Sequence, residues 1–279
     1  MTHFPSRTCL IAGLLLSLSI FLHGPAGAVE QSPKQQQCIN TLNKNFLKVA
    51  STQGKEILAC LKGGSKGQLD PQTIEECLTA DNRGKVAKAR SKTEADDSKK
   101  CSAEPPDFGT TNATTLNDAA VQKELDLVHA IFGLDLDLND VIAPAADKFK
   151  SKCQQKVTSK VKKCQDTKLK VFNECKKSAL KQGAADATDI ETCIFVDPEG
   201  VIAKACVAKV AAQVRSQCVR KEVELADAFP GIDLSAPNDF VDALDQTVEC
   251  LACLAVNEAD ALNRDCDEVD DGLLNESCL

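Results

Sequence analysis

Cys153, Cys164 and Cys175 stand 11 residues apart in a stretch, Lys148 to Lys181, that contains neither Pro nor Gly. Eleven residues are close to three α-helical turns, so on a helix these cysteines share one stripe at intervals of about 16 Å. A disulfide requires Cα atoms within about 7 Å. The three cannot bond to one another and must reach across to a second rod. In an antiparallel hairpin, facing residues have nearly constant index sums. Cys175 with Cys193, Cys164 with Cys206 and Cys153 with Cys218 give 368, 370 and 371, a ladder of three rungs.

The same pattern occurs earlier in the chain. Cys38 to Cys60 is 22 residues, as is Cys153 to Cys175, and Cys60 with Cys77 and Cys38 with Cys101 give sums of 137 and 139. Ile74-Glu75-Glu76-Cys77 followed by LTADNRGKVAKA parallels Ile190-Glu191-Thr192-Cys193 followed by IFVDPEGVIAKA without a gap. Val49 and Arg90 stand where the partners of the middle rung, Cys164 and Cys206, would be, so both members of that pair are absent together. These agreements read as an internal duplication. Its units are residues 29–104 and 148–222, joined by a linker and connecting helix at 105–147. Phe132-Gly133-Leu134-Asp135-Leu136 also resembles Phe229-Pro230-Gly231-Ile232-Asp233-Leu234, which carries the likeness beyond the hairpins. Gly63-Gly64 reads as the stop of the first helix and Gly183 as a C-terminal cap. Asp81 reads as a helix cap, and Asp197-Pro198 as an N-cap with Pro at the first helical position of a helix reaching about Arg220. The acidic segment 223–279 holds the last four cysteines. Nested bonds, Cys253 to Cys266 and Cys250 to Cys278, are preferred over the crossed arrangement, which stays open at this stage.

Residues 1–28 have the plan of a secretory signal peptide. Arg7 precedes the 14-residue apolar run Cys9–Leu22, and Pro25-Ala26-Gly27-Ala28 supplies small residues for cleavage. The run is shorter than the roughly 18 apolar residues a membrane span needs. Removal of this segment leaves 14 of the 15 cysteines, an even number that suits full pairing in an oxidising compartment. The expected location is extracellular or periplasmic. Tyr and Trp are absent and aromatic residues make up 4% of the chain, so a core of Ala, Val, Leu and Ile must lean on covalent staples. Helix formers dominate and β-branched alternation is missing, which makes the expected fold all-α. The expected architecture is two disulfide-laddered antiparallel hairpins followed by a cysteine-stapled helical C-terminal segment.

The motif D-x-x-G-x-[VI]-A-K-A at Asp81 and Asp197, the cysteine ladder and Cys250-Leu251-Ala252-Cys253-Leu254 resemble a group of secreted, cysteine-rich helical proteins of environmental, deltaproteobacteria-like bacteria. The likeness covers most of the chain after residue 28. Its motifs are cap and disulfide patterns, so it implies an exported bacterial protein and no activity.

Chemical signatures are weak by comparison. Cys250-x-x-Cys253 has the spacing of a thiol-redox pair, but it lacks a βαβ setting and has Cys266 and Cys278 as structural partners. Asp135, Asp137, Asn139 and Asp140 begin like a calcium loop. Asp140 and Ala146 occupy the positions that need Gly and Glu, so a solvated turn is the simpler reading. The acidic cluster Asp265–Asp271 reads as a solvated face. His129 is the one histidine after residue 28, has no second ligand or nucleophile beside it in sequence, and reads as a packed side chain. Gly63 to Gly67 does not satisfy the P-loop pattern.

Charge is distributed unevenly. Lys148 to Lys181 carries 12 lysines against Asp166 and Glu174, whereas Val223 to Leu279 carries 15 acids against Arg264. The basic stretch, with Lys156, Lys160 and Lys163 at its centre, suits an anionic polymer. Without interleaved aromatic residues, nucleic acid is disfavoured. The competing reading pairs the basic hairpin with the acidic tail or with a second copy. The sequence therefore points to a non-catalytic exported structural or binding protein, without a cofactor or metal. A polyanion-binding module is the first alternative and a thiol-redox or other enzyme the second.

Overall fold

The N-terminus of the first long helix is closed by reciprocal hydrogen bonds. In the computed structural model, which describes residues 30–138, 141–234 and 240–278, Ser32 Oγ accepts from Gln35 N–H while Gln35 Oε1 accepts from Ser32 N–H. Pro33 follows at the first helical position, where its missing N–H costs nothing. The signal-peptide segment 1–28 and Asn139 and Asp140 of the calcium-like loop lie outside the described residues.

This helix, α1 (Pro33–Ser65), runs through Gly63-Gly64 rather than stopping there. The turn comes at Gly67, whose φ of +62° supplies the left-handed conformation, while Lys66 and Gln68 N–H donate to Gly63 O. Gly63 and Gly64 serve close packing instead. A Cβ on them would lie 2.6 Å from Leu69 Cδ2 and 2.7 Å from Ile74 Cδ1, so their bareness lets the returning chain lie against the helix. Next come α2 (Ile74–Ala80) and α3 (Lys85–Lys100), the latter antiparallel to α1. The second long helix, α5 (Lys148–Lys181), has the limits its composition suggests. Its return arm comprises α6 (Ala187–Glu191), 3₁₀ turns at Thr192–Phe195 and Pro198–Gly200, α7 (Val201–Ala203), a π-helical turn at Lys204–Ala208 and α8 (Lys209–Gln217).

Both return arms contain the same cap. Asp81 accepts from the N–H groups of Val86 (3.1 Å) and Ala87 (2.8 Å), and Asp197 from those of Ile202 (2.7 Å) and Ala203 (3.0 Å). Gly84 and Gly200 take left-handed φ values of 60° and 66°, which explains the glycine three residues after each Asp. Pro198 consequently lies in the intervening 3₁₀ turn, not at the first α-helical position. The arms differ by one residue, Cys77 to Cys101 being 24 and Cys193 to Cys218 being 25. Up to Ala89 and Ala205 they match without a gap, and the second arm contains the π turn there. A π turn is how a helix absorbs one extra residue without losing its register beyond it.

Seven disulfides join Cys38–Cys101, Cys60–Cys77, Cys153–Cys218, Cys164–Cys206, Cys175–Cys193, Cys250–Cys278 and Cys253–Cys266, with Cα separations of 4.7 to 5.7 Å. They are the pairs selected by the index sums and by nesting. The Cys250–Cys278 and Cys253–Cys266 bonds tie α10 (Phe240–Asp260) to α11 (Asp267–Asp271) and the tail beyond it. All described helices pack as α-structure without a strand among the described residues.

The hairpins do not stand side by side as separate ladders. Helix α4 (Ala113–Phe132) lies against α1 and α10, while α1 also packs on α5 and α10 on α5. These four helices form the central bundle, and α3 and α8 flank it. The interior is aliphatic, with Ile39, Leu116, Ile131 and Leu169 almost fully buried. Phe229, between the four-residue α9 (Leu225–Ala228) and α10, packs between Phe132 and Phe240 at centroid distances of 5.8 and 5.0 Å. The two similar Phe-Gly-Asp-Leu stretches meet here, as Gly231 N–H donates to Ile131 O at 3.1 Å. A Cβ on Gly231 would come 2.4 Å from Ala130 O, so only glycine allows the approach.

Candidate functional site

Helix α5 divides its lysines between interior and solvent. Lys162, Lys168 and Lys176 are buried, and each faces an acid. Lys162 Nζ holds Asp166 at 2.8 and 2.7 Å. Lys168 Nζ lies 3.1 Å from Asp245 and 2.6 Å from Glu249 on α10. Lys176 Nζ pairs with Asp260 at the end of α10 and donates to Asn43 Oδ1 (2.6 Å) and Gly109 O (3.1 Å). Part of the basic helix thus packs against the acidic C-terminal segment. Six of the remaining lysines form an outer ridge. Lys148, Lys152, Lys156, Lys163, Lys170 and Lys177 are exposed. Helical geometry puts them within an arc of about 80° over about 44 Å of axis. Lys160 is half-buried at its flank, and Lys170 pairs with Glu174 at 3.5 Å. Among the described residues Lys152, Lys156 and Lys163 face no carboxylate at ion-pair distance.

The other sequence candidates are engaged in local structure. His129 Nε2 lies 3.1 Å from Glu75 Oε2, and the other Glu75 oxygen accepts from Leu136 N–H at 2.8 Å. Asp137 accepts from the N–H groups of Ile74 (2.8 Å) and Glu75 (3.4 Å), so its carboxylate closes the N-terminus of α2. Asp135 accepts from Asp137 N–H at 2.9 Å within its own turn. Cys250 and Cys253 bond to different partners, which leaves no dithiol at the C-x-x-C. Cys164, Cys206 and Asp245 converge within 4.8 Å, but the two sulfurs bond each other and offer a cation no thiolate.

The interior contains a titrating group that sequence reasoning missed. Glu124 on α4 is 2% exposed, beside Lys162, where Gly54 of α1 leaves room. A Cβ on Gly54 would lie 2.2 Å from Glu124 Oε2 and 2.4 Å from Lys162 Cε. Burial pushes the Glu124 carboxyl from its ordinary 4.5 up to about 8, against the pull of Lys162 and with a small push from Asp166. Between these two values the folded chain holds a proton that the unfolded chain has released. This contribution to stability therefore declines as pH rises from about 4.5 to about 8 and levels off above. The decline is about 1.4 kcal/mol for each pH unit crossed, so the full swing is several kcal/mol. Urea unfolding at about pH 5 and about pH 8 should show that Glu124→Gln loses less stability than the parent between the two. Parallel losses in both proteins would refute the assignment.

A cavity of about 240 Å3 lies between α5, α10 and the return arm of the second hairpin. Leu169, Phe172, Ile194, Val207 and Val256 line it, together with the Lys168, Asp245 and Glu249 cluster. Its polar cluster had a sequence signal. Lys168 is four residues from Cys164 and seven from Cys175, on the inward stripe of the helix. No protein-family model, curated protein or solved structure matches this chain. Among the described residues no helix is long and apolar enough to cross a membrane.

Proposed function

We propose that this chain is a non-catalytic exported binding protein whose disulfide ladder holds a rigid lysine ridge toward an anionic polymer. The ridge carries the reading. Lys162, Lys168 and Lys176 are turned inward to acids, while Lys152, Lys156 and Lys163 remain in water along one edge of α5. A helix bonded to its neighbour at Cys153, Cys164 and Cys175 keeps those charges in fixed register. Preset charges lose less entropy on meeting a polyanion than charges on a flexible chain. Seven disulfides favour an oxidising compartment outside the cytoplasm. The paired Cys250 and Cys253 and the occupied His129 speak against thiol-redox or His-based catalysis as the chain's work. The repeated caps and cysteine spacings support an origin by duplication of one hairpin.

Heparin chromatography tests the ridge. The oxidised protein should be retained at low salt despite its acidic overall balance of 33 basic against 41 acidic residues. Lys152→Gln/Lys156→Gln/Lys163→Gln should elute at clearly lower salt with unchanged helicity. Equal retention of parent and variant would remove the ridge from the function.

A further inference from the structure

The cavity beside α10 has a chemical bias that its shape alone would not give. On one side are Leu169 and Phe172 of α5, on another Ala252 and Val256 of α10, and the return arm closes it with Ile194, Phe195 and Val207. Phe195 and Val207 are 53% and 38% exposed at its rim, where the Arg264 guanidinium lies 4.6 Å from the Phe195 ring centroid. The first hairpin places Leu78, Thr79 and Ala80 where the second has Ile194, Phe195 and Val196, and the exposed aromatic has no counterpart there. The π turn at Lys204–Ala208 includes Val207 and forms part of the wall. Such turns are frequent at ligand sites because they displace a side chain from the regular helical pattern.

Charge supplies the second observation. Among the described residues Lys168 is the one cation in the lining, and it faces both Asp245 (3.1 Å) and Glu249 (2.6 Å). Asp197, also in the lining, accepts from two backbone N–H groups. The cluster of Lys168, Asp245 and Glu249 therefore has one negative charge in excess, next to an apolar wall. Burial raises the Glu249 carboxyl above its ordinary range, and although Lys168 opposes this, Asp245 and Asp270 add to it. One further cation would complete the balance.

We propose that the cavity binds a small amphiphilic cation, an alkyl or aryl ammonium compound, with its ammonium at Asp245 and Glu249 and its apolar body between Phe172, Phe195 and Val256. The volume lies below the roughly 300 Å3 at which drug-sized sites begin, so the ligand carries one short chain or one ring. An anionic amphiphile of the same length meets the same wall with the wrong charge. A polyamine brings charge without an apolar body. The site is independent of the lysine ridge and faces a different kind of ligand.

The test is an NMR titration of the oxidised full-length protein with octyltrimethylammonium, octanoate and spermidine. Octyltrimethylammonium should bind saturably and perturb amides of residues 193–207 and 249–256, while octanoate and spermidine should each bind at least about tenfold more weakly. Glu249→Gln should weaken the cation at least about tenfold and narrow its advantage over octanoate. Phe195→Ala, at the exposed rim, provides a second variant if the first does not fold, and should weaken the cation without favouring octanoate. Equal affinity for octanoate, or perturbations scattered away from these segments, would overturn the proposal.

Discussion

Reduction of the seven disulfides should convert this chain from a cooperatively folded protein into one without a stable fold at ambient temperature. The Cys153–Cys218 bond closes 65 residues and Cys38–Cys101 closes 63, for which restriction of the unfolded chain gives about 4 kcal/mol each. The shorter Cys60–Cys77 loop of 17 gives about 3 kcal/mol. Nested loops restrict one another, so these values do not add. Even so, loss of the set exceeds the roughly 5–15 kcal/mol by which a domain is ordinarily stable. The interior cannot make up the difference, because among the described residues ring-on-ring packing is limited to Phe132, Phe229 and Phe240. Circular dichroism melting with and without a phosphine reductant measures this. A reduced chain that still melts cooperatively within a few degrees of the oxidised one would show that the core, not the ladder, carries the fold.

Lys176→Met should cost about 3–5 kcal/mol, more than most single substitutions in this protein. The Lys176 side chain has no exposed surface, and its ammonium joins α1 through Asn43, the 109 loop through its carbonyl and α10 through Asp260. Burial holds the ammonium below its ordinary range, and the adjacent Asp260 carboxylate pulls it back up. Burial likewise holds Asp260 above the usual carboxylate range, opposed by Lys176. Methionine fills the stem's volume but leaves Asp260 as an uncompensated charge in the interior, and that is where the cost arises. Lys176→Met/Asp260→Leu should recover most of the loss, because an apolar pair of similar size needs no partner. Urea unfolding midpoints of the oxidised proteins separate the cases. A single variant within about 1 kcal/mol of the parent, or a double variant no better than the single, would contradict this account.

The helical class and the pairing of the ten hairpin cysteines were legible because they follow from local rules. A repeat of 11 residues places Cys153, Cys164 and Cys175 on one stripe in any α-helix, and the reach of a disulfide then demands an antiparallel partner. The limits of α5 followed from the run between Asp147 and Gly183 that Pro and Gly leave uninterrupted. The Gly63-Gly64 stop failed for the converse reason. A glycine's bareness can serve a turn or a close approach, and the choice depends on Leu69 and Ile74 arriving from elsewhere.

Tertiary structure alone decided which lysines of α5 face inward to an acid and which stay in water. Helical period shows that Lys168 and Lys156 lie on different sides, but not that Asp245 and Glu249 would meet the first. That depends on where α10 docks, after residues that share no local pattern with α5. The same docking closes the cavity against the second hairpin, while the packing of α1, α4 and α5 sets Glu124 beside Lys162 at Gly54. Spacing along a chain determines what one rod presents, whereas burial and charge pairing arise only when a second rod removes water from between them.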